Sequence, residues 1–109
     1  MYDDQKAAIQ AAIDKIDDVR VSVANGSPQA TQLDTARAAL VQDLLSIDNA
    51  AAVQAARNLG NSGVPAAIVG KTNLLNNTTQ ALGNAAAVLN VVSIILTLAG
   101  DIAGAVLAL

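Results

Sequence analysis

At 109 residues with a formal net charge of −3, the chain has the length of one domain and too few basic residues for the cationic stripe that nucleic acid demands. It contains neither His nor Cys, which removes thiol nucleophiles, Ser-His and Cys-His pairs, and tetrahedral zinc sites of ordinary ligands. Hydrophobic residues reach 53% and charged residues only 14%, respectively above and below the range of soluble domains.

Tyr2 is the single aromatic residue, so a core must be built of Ala, Val, Ile and Leu, which favours closely packed helices. Every acidic residue is Asp, a poorer helix former than Glu. The opening Met1-Tyr2-Asp3-Asp4 has neither the basic nor the apolar region of a secretory signal. All charged residues except Lys71 and Asp101 lie in positions 1–60. The sequence therefore predicts a single domain in two parts, a charged amphipathic helical hairpin over 1–60 and an apolar helical segment over 61–109.

The first helix is expected from about Tyr2 to Ala24. Tyr2, Ile9, Ile16 and Val23 recur every seven residues, with Ala12 and Val19 at the intervening heptad position and Ile13 beside them. This is a narrow apolar seam on an otherwise charged helix. Asp14, Asp17 and Asp18 cluster there but lack the alternate-residue spacing and glycine of a calcium loop, and they read as a solvated face. Asn25-Gly26-Ser27-Pro28 predicts a turn: Asn-Gly accepts positive φ, Ser27 caps, and Pro28 opens the next helix. That helix is expected to run to about Leu59 on a broad stripe of Leu33, Ala36, Leu40, Val41, Leu44, Ile47, Ala51, Ala52 and Ala55. Thr31 with Asp34 gives a second, weaker start signal, and Ser46–Asn49 is its weak point. The clearest boundary is 60–65, where Gly60 suits a C′ cap and Pro65 the first turn of the next helix.

Beyond Pro65 the pattern stays helical. Thr72, Asn76, Thr79, Gly83, Ala86, Asn90, Ser93, Thr97, Asp101, Gly104 and Ala108 follow one another by threes and fours. On a continuous helix they fall within an arc of roughly 80–100°, a single small-and-polar stripe. Opposite it lie Leu74, Leu75, Leu82, Val88, Leu89, Val92, Ile95, Leu96, Ala99, Ile102 and Leu107. The phase coherence predicts one long helix, or two nearly collinear ones. Residues 85–109 would span roughly 37 Å as a helix, against a hydrocarbon core of about 30 Å. Against a plain anchor stand the lack of flanking Lys, Arg or aromatic residues, and Asp101, which at that depth costs about 2.5–3.5 kcal/mol without a partner.

The predicted fold is thus all-α: a bundle of two amphipathic helices plus a long, strongly apolar C-terminal helix, with Gly83 and Gly100 as its candidate split points. No catalytic, cofactor or metal site is expected, and the chain does not read as an enzyme. The expected site is the stripe itself, Asn76, Thr79, Gly83, Asn90, Ser93, Thr97, Asp101 and Gly104. It would allow close helix approach in a bundle, or line a path between inserted copies in a membrane. In general plan the layout resembles α-helical pore-forming proteins and bacteriocins, which hide an apolar helix among amphipathic ones. The leading expectation is a membrane-active or membrane-inserting protein that forms homo-oligomers through its C-terminal helix, with pore formation as its strongest form. Its partners would be itself and a lipid membrane, and its favoured location membrane-associated or secreted. The alternatives are a soluble bundle subunit that self-assembles into an oligomer or filament, and a protein that binds lipid or an apolar surface.

Overall fold

The computed structural model describes residues 2–56, 65–83 and 85–108. Four helices and no strand occur among them: α1 (Asp3–Arg20), α2 (Pro28–Ala56), α3 (Ala66–Gln80) and α4 (Ala85–Leu107). The all-α bundle is therefore the observed fold. The expected end of the second helix near Leu59, the Gly60 cap and most of the 60–65 boundary lie outside the described residues.

On α1 the heptad seam is the buried face. Tyr2, Ile9, Ala12, Ile16 and Val19 are buried, with Ile13 beside them, and Val23 packs on the same core from beyond the helix end. Gln5 occupies one further position of that seam and is buried with them. Each fully buried Ile contributes about 1.5–3 kcal/mol over its exposed state. The turn that follows forms as its residues require. Gly26 has φ +79°, a value L side chains rarely adopt. Ser27 Oγ accepts from the Ala30 backbone N–H at 3.2 Å while donating to the Ala24 carbonyl at 2.7 Å. Pro28 is the first residue of α2. Thr31 consequently lies inside the helix, and the Thr31/Asp34 start is not used. Ser46–Asn49 does not break the helix either, since α2 runs through it with Ile47 fully buried.

Three ion pairs fix how α1 lies against α2: Arg20–Asp34 at 3.2 Å, Asp17–Arg37 at 2.8 Å and Lys6–Asp48 at 2.9 Å. Stepping back three and then eleven residues along α1 matches stepping forward three and eleven along α2. The pairs share one antiparallel register. Arg20 also donates to Val23 O and Asn25 Oδ1, tying the helix end to the turn.

The prediction of one long or two collinear helices is overturned. α3 stops at Gln80, the Ala81 and Leu82 N–H groups fold onto the carbonyls of Thr78 and Thr79, and α4 returns alongside α3. Lys71 and Asp101, thirty positions apart, meet at 3.0 Å. Size supplies the reason. A straight helix over 66–107 would be roughly 63 Å long, whereas α2 offers only about 43 Å of partner. Reversal at Ala81–Gly83 lets both apolar faces be covered. Of the two candidate split points only Gly83 lies at the break, and α4 continues through Gly100.

α1 packs on α2 and α3, and α4 packs on α2 and α3, so the order around the bundle is α1, α2, α4, α3. One hydrophobic cluster draws on all four helices, centred on Ile9, Ile16, Leu40, Ile47, Leu75, Ile95 and Ile102. The molecule measures 48 × 22 × 17 Å, its long axis set by α2.

Candidate functional site

The reversal splits the predicted stripe into two faces with opposite fates. On α3 the buried line is Ile68, Thr72, Leu75 and Thr79, extended by Leu82. Alternate steps of four and three are the spacing of a coiled-coil seam, and they carry Thr72 and Thr79 into the core. Asn76 is half-buried beside them. On α4 the seam is Val88, Val92, Ile95, Ala99, Ile102 and Val106, and the stripe faces out. Asn90, Ser93, Thr97, Asp101 and Gly104 are exposed, as are Gly83 and Ala86. The eight predicted site residues are therefore not one surface. The phase argument assumes an unbroken helix, and the non-helical Ala81, Leu82 and Gly83 reset it.

A further correction concerns the small residues. A Cβ built on Gly83, Gly100 or Gly104 meets nothing within 4 Å, so none of them serves close helix approach within the bundle.

What remains is the outer surface of α4. Its residues Ala86–Leu107 form a run of 22 with mean hydropathy 2.0, long and apolar enough to cross a membrane, and 33% of the run is buried in the bundle. Apolar side chains interrupt the polar face, with Ile94 at 50% and Leu107 at 58% exposure. Two of the polar members have partners within the bundle. Thr97 Oγ1 donates to the Ser93 carbonyl one turn back, at 2.8 Å, a bond that follows the helix wherever it goes. The Asp101 carboxylate is held by Lys71 Nζ from the facing helix, and the pair lines a surface groove with Ser93, Ile94, Thr97 and Leu98.

Lys71 was missing from the predicted site. Its signal was present, because an otherwise uncharged segment holding one cation and one anion invites their pairing. The antiparallel return that brings them together was not anticipated. Both side chains are 45% exposed, so in water the bridge contributes about 0.2–1 kcal/mol. No group of three or more acidic, His or Cys residues placed to hold a metal occurs among the described residues. No family model matches the chain, and neither a curated protein nor a solved structure is significantly similar to it.

Proposed function

We propose that this chain is a membrane-active protein that holds α4 in a closed bundle and releases it into a lipid bilayer, where copies associate through the Asn90–Ser93–Thr97–Asp101–Gly104 face. The observation that carries the reading is α4 itself. It has the length and hydropathy of a membrane span, a third of it is fully buried in the bundle, and Ile94 and Leu107 add large apolar side chains to its exposed face. α3 is too rich in amide and hydroxyl side chains to accompany it. Insertion of α4 alone separates Asp101 from Lys71, leaving a carboxylate whose burial costs about 2.5–3.5 kcal/mol. The pair thus restrains insertion, and apposed stripes from several copies give Asp101 a polar environment on the far side.

The second reading, a soluble subunit that self-assembles, is favoured by one specific observation: every stripe residue of α4 faces out and Asp101 is neutralised in place. The two readings part in a liposome flotation and dye-release assay. In the membrane reading the parent chain floats with vesicles and releases dye. Asp101→Asn inserts more readily and, in single-channel recordings, shows weaker cation preference, because carboxylate rings favour cations. Absence of both flotation and leakage at every lipid composition would sink the membrane reading and leave self-assembly in water.

A further inference from the structure

The surface of the bundle is electrically divided. The α1–α2 half carries the net charge of −3 and every charged residue except Lys71 and Asp101, which sum to zero on the other half. Two copies that meet through α1 and α2 repel each other and must strip water from many charges. Through the outer face of α3 and α4 they meet without net repulsion, and the core of an interface is depleted in charged residues. That face is apolar where it is accessible, with Leu74 53% and Ile94 50% exposed. Leu74 lies one turn along α3 from Lys71, on the same side of the helix. Ile94 borders the groove of about 250 Å³ that the Lys71–Asp101 pair lines, a recess for a side chain from outside. Along α4, a Cβ built on Gly100 or Gly104 meets open space. The charges themselves are self-complementary, because a two-fold axis brings Lys71 of one copy toward the partner's Asp101 and the reverse.

We propose that the outer face of α3 and α4 docks a second copy of this chain, giving a two-fold dimer of closed bundles that shares the Lys71 and Asp101 charges between copies. The area sets its strength. α3 and α4 have 15 and 23 residues, and side by side they present a face of roughly 560 Å² at about 1.5 Å per residue and 10 Å per helix. A standard interface buries about 800 Å² on each partner, so the dimer is weak and reversible. This deepens the self-association within the proposed function, extending it to the closed bundle in water. It is tested without lipid, so its failure and the failure of the membrane reading are separate results.

The experiment is sedimentation equilibrium of the full chain in lipid-free buffer, from about 5 μM to about 1 mM. The expected result is reversible conversion of monomer to dimer. Ile94→Lys places a charge on the face at a position already half exposed, and should weaken the dimer more than tenfold. Thr97→Arg, at a second exposed position of α4, should do the same, with helicity by circular dichroism confirming that both variants fold. Leu45→Lys, at an equally exposed position on α2, should leave the dimer unchanged. Lys71→Asp gives the face two anions and Asp101→Lys gives it two cations. Each alone should stay monomeric, and an equimolar mixture should form the heterodimer. A monomer over the whole concentration range, a dimer that Leu45→Lys breaks and the two α4 variants spare, or no heterodimer on mixing overturns the proposal.

Discussion

The two hairpins of the bundle are specified with different redundancy. α1 and α2 are held by three cross-helix ion pairs in one register, by the Arg20 clasp on the turn, and by a seam rich in Ile. Among the described residues α3 and α4 have one cross-helix ion pair, Lys71–Asp101, and the α3 seam contains two threonines. Thr72 satisfies its hydroxyl on its own helix, whereas Thr79 Oγ1 is buried with no partner. A register stated several times over is hard to lose. One stated once, against an internal cost, is the more easily lost, and the proposed release of α4 would draw on that difference.

The largest effects should come from the core, where this difference can be broken. Ile16→Ala and Ile95→Ala each empty a fully buried site, and each should cost about 2–5 kcal/mol in denaturant unfolding. Native-state hydrogen exchange then discriminates. Ile95→Ala should strip protection from α3 and α4 while α1 and α2 keep theirs, and Ile16→Ala should lower protection in all four. Equal losses in both variants would erase the distinction between the hairpins.

Thr79→Val should sharpen it, by removing the unpaired hydroxyl at nearly constant shape. A gain of about 1 kcal/mol is expected, visible as a higher thermal midpoint and less vesicle binding. Thr72→Val, whose hydroxyl is bonded, should show no gain. Within α2, Asp43 is half-buried, and desolvation raises its pKa above the usual carboxylate value. A raised carboxyl contributes stability that is present below the unfolded pKa and lost as pH rises through the folded one. Asp43→Asn should therefore stabilise the bundle at neutral pH, with the gain fading as pH falls through the raised folded pKa and gone below the ordinary carboxylate value. A pH-independent effect would point to packing instead. The smallest change is expected for Lys71→Ala, about 0.2–1 kcal/mol in water, with a larger change in vesicle partition. If partition follows stability alone, the pair is not a restraint on α4.

Legibility followed the same division. The α1 seam, the Asn25–Pro28 turn and the stripe on α2 could be read from the residues because spacing and turn chemistry are local. The fold of the second half depended on length against available partner surface, which no window of sequence contains. Continuity of phase across Gly83 is a property of angles on an ideal helix, and the chain had only to leave that helix briefly for the stripe to turn inside on α3 and outside on α4. Gln5 stands seven residues before Ala12 and fourteen before Val19, both seam positions. Its phase alone marks it as interior.

Because Lys71 and Asp101 cancel, the whole formal charge of −3 belongs to residues 1–60. Opened at the interface between its hairpins, the chain would have the constitution of an anionic detergent, a charged α1–α2 head joined to an electrically neutral tail that ends in the apolar α4. Self-repulsion among heads then limits how many copies can crowd together, while the tails favour crowding. Added salt, which screens the heads within about 10 Å at 0.1 M and leaves the tails untouched, should enlarge the aggregates without altering how each tail packs.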